Sequence, residues 1–144
     1  MKRWIVVPLL LTLLVSGCAM FTSHYDATRH ENFTKLKAAH IKLFDSWTIG
    51  SDKSWKESEV TQYCEKIDLS FREAFEFAKS KDSKDKTGQT AVKILWEEFS
   101  DNCKLSLKRK KLFSKVYVDE TRPQIEQNYG YAIAGELDRV KAPE

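Results

Sequence analysis

The residues of this 144-residue chain with the most chemical potential are three histidines, three cysteines and one run of lysines. His24 and His30 stand six apart and share no helical face. His40 falls among apolar residues at helical spacing, where a histidine is ordinarily a hydrogen-bonded core residue rather than a ligand. A di-iron centre in a helical bundle needs Glu-x-x-His on two helices, and no glutamate stands three before any histidine here. Cys-x-x-Cys-His for haem attachment, Gly-x-Ser-x-Gly and a phosphate-cradling glycine loop are all missing. No Ser-x-x-Lys is accompanied by the other motifs of penicillin-binding enzymes, and Ser80-Lys81 and Ser114-Lys115 are merely neighbours. Glu73, Glu76, Glu97 and Glu98 are helical carboxylates that read most simply as solvated faces. The expectation is a non-enzyme without metal or cofactor.

The lysine run is the one local charge anomaly. Lys104, Lys108, Arg109, Lys110, Lys111 and Lys115 fall in a segment that contains no acidic residue. At the end of a helix such a run can be a solvated cap that complements the negative pole of the dipole. It can also be an anion patch for lipid head groups, lipopolysaccharide, peptidoglycan carboxylates or an acidic protein.

Periodicity says which elements must carry these groups. Phe33, Leu36, His40, Leu43, Phe44 and Trp47 recur at helical spacing after Thr28-Arg29-His30-Glu31, which fits a capping box. A second box, Ser54-Trp55-Lys56-Glu57, precedes the seam Val60, Cys64, Ile67, Phe71, Ala74 and Ala78. The charged stretch 80–88 reads as a loop. A third helix from about Gln89 carries Val92, Leu95, Trp96, Phe99, Cys103, Ser106 and Leu107, with a possible continuation to Tyr117. Thr121-Arg122-Pro123-Gln124 resembles a further helix start, followed by Ile125, Tyr129, Ile133, Leu137 and Val140. Gly130 and Gly135 lie beside that stripe, where they would permit close helix approach. Five glycines and three prolines in the whole chain are few breakers, which favours long helices. The fold class expected is all-α: an up-down-up-down antiparallel bundle of four helices, with a three-helix body and an irregular 108–122 connection as runner-up.

Before these helices, Met1-Lys2-Arg3 and the apolar run Trp4–Val15 form a positive n-region and an h-region. The run falls short of the ~20 residues a spanning helix needs, and Pro8 interrupts it. It closes on Val15-Ser16-Gly17-Cys18, which resembles the bacterial lipobox. The resemblance implies cleavage before Cys18, S-diacylglycerol on its sulfur and a further acyl chain on its amino group. Two or more chains hold a protein stably on a bilayer. Ala19, where an Asp would retain the protein at the inner membrane, implies the outer membrane, facing the periplasm. The ordinary secreted protein, with Cys18 a bystander, is the alternative. The organisation expected is a signal peptide at 1–17, a tether at 18–27 and a helical domain at 28–144. Cleavage removes Lys2 and Arg3, so the formal charge drops from +3 to +1, and nucleic acid is not an expected partner.

With Cys18 acylated, Cys64 and Cys103 remain as an even pair in an oxidising compartment. In an antiparallel hairpin, residues at one height are equidistant from the turn centre. The midpoint of 64 and 103 falls between 83 and 84, inside the charged loop. Both lie on apolar seams, so a Cys64–Cys103 disulfide is expected; two reduced core thiols are the alternative.

The stretch from Tyr25-Asp26 to Lys37 is similar to the mature start of small proteobacterial and phage-associated lipoproteins, which implies the class and no activity. Three readings follow. The first is a non-enzymatic envelope protein that binds a protein partner or peptidoglycan. The second is a small-ligand carrier with a cavity among Phe44, Trp47, Phe71 and Phe99. The third is an exclusion- or immunity-type lipoprotein of a mobile element. Phe77 and Tyr131 fall off the stripes and are candidates for a contact surface.

Overall fold

The computed structural model describes residues 26–81 and 86–138, with backbone alone at 137 and 138. The segment 1–17 expected to be a signal peptide, Cys18, His24 and Val140 lie outside the described residues. Four α-helices follow one another: α1 (Ala27–Trp47), α2 (Glu57–Lys81), α3 (Lys86–Arg109) and α4 (Lys115–Asp138). Each packs on the next, and α4 closes back on α1, giving the four-helix antiparallel bundle rather than the three-helix alternative. No described helix is long and apolar enough to cross a membrane.

The seams read from the sequence are the core. Phe33, Leu36, His40, Leu43, Phe44 and Trp47 of α1 are buried, as are Val60, Cys64, Ile67, Phe71, Ala74 and Ala78 of α2. The sulfurs of Cys64 and Cys103 are bonded at 2.12 Å, with Cα atoms 6.1 Å apart. Phe71 and Trp96 stack about the same midpoint, with ring centroids 6.3 Å apart.

The helix boundaries differ from the sequence expectations for local reasons. Asp26, not Thr28, caps α1: its carboxylate accepts from the Thr28 and Arg29 amides at 2.9 and 3.4 Å. This start places Arg29 within the first turn, on the buried stripe. The Ser54 box does not open α2, which begins at Glu57. Trp55 instead holds the preceding residues against the bundle, its indole donating to Ser106 Oγ at 3.1 Å. The charged connection is shorter than 80–88, because α2 runs to Lys81 and α3 starts at Lys86, taking Gly88 into its first turn. The α3 helix stops at Arg109, where Lys110 turns left-handed at φ 50°, and does not continue to Tyr117. The largest departure is α4. It begins at Lys115, with Ser114 Oγ accepting from the Tyr117 amide at 3.2 Å, and it carries Pro123 inside the helix. Thr121-Pro123 is therefore no helix start. Packing of Val118 and the Arg122–Asp45 pair at 2.7 Å hold that turn helical despite the proline. Gly130 and Gly135 make no close approach, since a Cβ at either would meet open space.

The two loops at one end of the bundle are sewn together. The Phe113 amide donates to the Trp47 carbonyl at 2.8 Å, and the Ile49 amide to the Phe113 carbonyl at 2.9 Å. The other end holds the start of α1, the α2–α3 turn and the end of α4. There Lys81 and Asp26 pair at 3.9 Å.

Candidate binding surfaces and the buried polar network

His40 is buried at the centre of a polar network that joins three helices. Asn102 of α3 faces the Glu98 carbonyl at 3.0 Å, and that oxygen only accepts, so the facing atom is Nδ2. The same nitrogen lies 3.1 Å from His40 Nε2, which must accept. The imidazole proton is therefore on Nδ1, donated to the Tyr129 hydroxyl at 3.3 Å. Tyr117 donates to Asn102 Oδ1 at 2.6 Å, and Asn128 donates to Glu98. The rings of Phe44 and Phe99 enclose the imidazole, with centroids 5.7 and 5.2 Å away.

Burial sets the protonation of this cluster. Desolvation pushes the His40 pKa down to about 4, so the ring is neutral at ordinary pH. Desolvation raises Glu98, against the lowering effect of the Asn128 hydrogen bond. Tyr129 is driven well above its usual range by burial and then by the neighbouring charge of Glu98. With both imidazole nitrogens engaged and the ring sealed from solvent, His40 works as a structural tie rather than a base for a substrate. No group of three or more His, Cys, Asp or Glu among the described residues is arranged to hold a metal ion.

Phe44, Trp47, Phe71 and Phe99 are at most 2 % exposed; Phe71 packs on Phe99, Phe44 on His40 and Phe113, and Trp47 on Tyr63. One open volume is a groove of about 270 Å³ between α3 and α4 at the N-terminal end of the bundle. Ala91 and Ile94 form one wall, Tyr131, Ala132 and Gly135 the other, and Phe33 the floor. Ile94 and Tyr131 are 49 % and 66 % exposed, whereas Phe77 is half-buried under the Lys81 ammonium. Arg29 and Glu136 form an ion pair at 3.7 Å at the same end, and both are buried. The Arg29 guanidinium lies over Gly88, only 2.6 Å from where a Cβ would stand. Arg29, Gly88 and Glu136 were not among the expected site residues. Their signal was present: Arg29 and Gly88 extend the buried stripes of α1 and α3, and Glu136 falls one turn beyond Ile133.

The basic segment occupies the opposite, loop-tied end. All six of its residues are exposed, on the last turns of α3, the following turn and the start of α4. Lys104 pairs with Asp101 at 3.3 Å, Lys110 with Glu57 at 3.8 Å, and Arg109 sits 6.0 Å from the Tyr117 ring. Lys108, Lys111 and Lys115 have no ion pair among the described residues. Beside Lys115 stand Ile49 and Val116, 54 % and 66 % exposed. The distal end is thus part basic and part apolar. Comparison with family models, with curated proteins and with solved structures finds no match for the chain.

Proposed function

We propose that this protein is a lipid-anchored, non-enzymatic binding protein of the bacterial cell envelope, tethered through acylated Cys18 to the outer membrane and facing the periplasm. Its binding surface is the distal end carrying Lys108, Lys111 and Lys115, and its partner is anionic: the carboxylates of peptidoglycan or an acidic envelope protein. The observation that carries this reading is the separation of the two ends. Asp26, where the chain enters, is at one end, and the three unpaired cations are at the other. The 21 residues of α1 span about 30 Å, which lifts the cations off the anchoring surface toward the cell wall. Ile49 and Val116 beside Lys115 supply the apolar area that a charge-only contact would lack.

The test is co-sedimentation with purified peptidoglycan and cross-linking in intact cells, using the triple variant Lys108→Gln, Lys111→Gln and Lys115→Gln. The reading expects both signals to fall several-fold with the fold intact. Unchanged association overturns the distal surface. Cys18→Ser reports separately on the anchor, which fails if the variant still fractionates with the outer membrane and the wild type incorporates no palmitate.

A further inference from the structure

Between α3 and α4 the bundle leaves a mainly apolar groove open among the described residues. Gly88, Ala91, Ala132 and Gly135 set its width, because none carries a side chain beyond Cβ. Ile94 and Tyr131 stand exposed at its lips. A narrow channel lined by small residues takes inserted side chains, not a flat partner face.

Position singles out what inserts. The groove opens at the end where the described chain begins, with Arg29 over Gly88 and Phe33 at its floor. Immediately before Asp26 come Ala19-Met20-Phe21-Thr22-Ser23-His24-Tyr25, whose large apolar residues are Met20, Phe21 and Tyr25. Phe21 lies five positions before Asp26, a span that reaches about 17 Å when extended. The α3 wall from Thr87 to Leu95 is about 12 Å long, so the reach suffices. A segment joined to its seat by so short a link meets it at an effective concentration in the millimolar range, ahead of any free competitor.

We propose that Met20 and Phe21 dock into the α3–α4 groove of their own chain. The seat exists whether or not Cys18 is acylated. With Cys18 acylated, docking leaves only one residue between the lipid and the bundle, so the body is held in a set orientation rather than swinging on a loose tether.

The experiment uses the full chain in its native membranes. Phe21→Cys is paired either with Ile94→Cys at the groove lip or with Leu69→Cys, a comparably exposed position (55 %) on α2. After mild oxidation, peptide mass spectrometry is expected to show the Phe21–Ile94 link in roughly tenfold excess over Phe21–Leu69. In single Ile94→Cys protein, labelling by a soluble thiol reagent is expected to speed up roughly tenfold when Met20→Ser and Phe21→Ser are added. Equal cross-linking to both positions overturns the proposal. So does protection of position 94 that survives the double serine change, which would mean an acyl chain or another protein fills the groove. A dominant 94–94 link between chains would mean a second copy fills it. A Cys18 thiol appearing in the cross-links would instead overturn the lipid anchor while leaving the docking result readable.

Discussion

The two halves of the bundle are held by different physics. Between α2 and α3 the ties are covalent and apolar: the Cys64–Cys103 bond, Phe71 stacked on Trp96, and Phe71 against Phe99 at 5.4 Å. One polar tie joins them, the Trp96 indole donating to Asp68 at 2.7 Å. Between α1 and α4 the ties are polar at three successive heights: Arg29–Glu136, His40–Tyr129 and Asp45–Arg122. Without its disulfide an apolar seam can slide by a turn at modest cost, but the two buried pairs, Arg29–Glu136 and His40–Tyr129, are satisfied in one register only, and the exposed Asp45–Arg122 pair falls in the same register. The α2–α3 half is therefore apolar adhesion pinned by one covalent bond, whereas the α1–α4 half takes its alignment from non-covalent polar pairs.

The largest way to break this contrast is to cut the covalent tie. Replacing both Cys64 and Cys103 by serine releases a loop closed over a sequence separation of 39. The chain-entropy cost is about 4 kcal/mol, read as a lowered denaturant midpoint. If the halves divide their roles as argued, the variant loses stability yet retains helix content and the His40 environment under native conditions.

Acid attacks the other half. His40 has a folded-state pKa of about 4 against an ordinary 6.5, so the fold favours its neutral form. That preference is fully present above pH 6.5 and is lost as pH falls from 6.5 to 4. It is worth about 3 kcal/mol over the window. Stability measured by urea unfolding should decline across that range. The decline should flatten in His40→Gln, which keeps one polar tie without a titrating ring. A wild-type slope unchanged in that variant would assign the acid sensitivity to the carboxylates.

The same contrast explains what the sequence disclosed. The α2–α3 half was legible because its seam is apolar over most of its length, and the midpoint of its cysteines coincided with its turn. The α1–α4 half was half-legible. His40 was recognisable as a core histidine and Tyr129 as a stripe residue, but Asn102 and Tyr117 are ordinary surface types until three helices meet. Arg29 and Glu136 had a positional signal on their stripes, but a charge on a buried stripe reads as the stripe's end, so the pair was not singled out. Thr121-Arg122-Pro123 was misleading for a physical reason. Local signals for a helix start are worth about 1 kcal/mol, which Val118, Ile125 and the Arg122 pairs outweigh. The basic segment was visible as charge, but its partial neutralisation by Asp101 and Glu57 was not.

Pro123 sharpens the argument at smaller scale. It denies the Asp119 carbonyl its intrahelical partner, and α4 tolerates that through its contacts with α1. An interior proline is disfavoured by about 3 kcal/mol against alanine, offset by ~0.4–1 kcal/mol from the stiffer unfolded chain and by local accommodation. Pro123→Ala is expected to raise stability by about 1–2 kcal/mol in denaturant unfolding. A loss would mean that the proline sets a bend on which the α1–α4 pairs depend.

The smallest effect is the most discriminating, because one substitution changes sign between two sites. Gly130 lies in α4 with nothing within 4 Å of a prospective Cβ. Gly130→Ala therefore gains only helix propensity, about 0.5–1 kcal/mol. Gly88 lies in α3, and its Cβ would stand 2.6 Å from Arg29 Nη1. That guanidinium cannot retreat freely, because its side chain is 5 % exposed and tied to Glu136. Gly88→Ala should thus cost about 1 kcal/mol net, the displaced ion pair outweighing the same propensity gain. Adding Glu136→Gln separates the causes. If the pair holds Arg29 in place, the Gly88→Ala penalty shrinks in that background; if the clash is with a side chain that moves aside anyway, the penalty is absent in both.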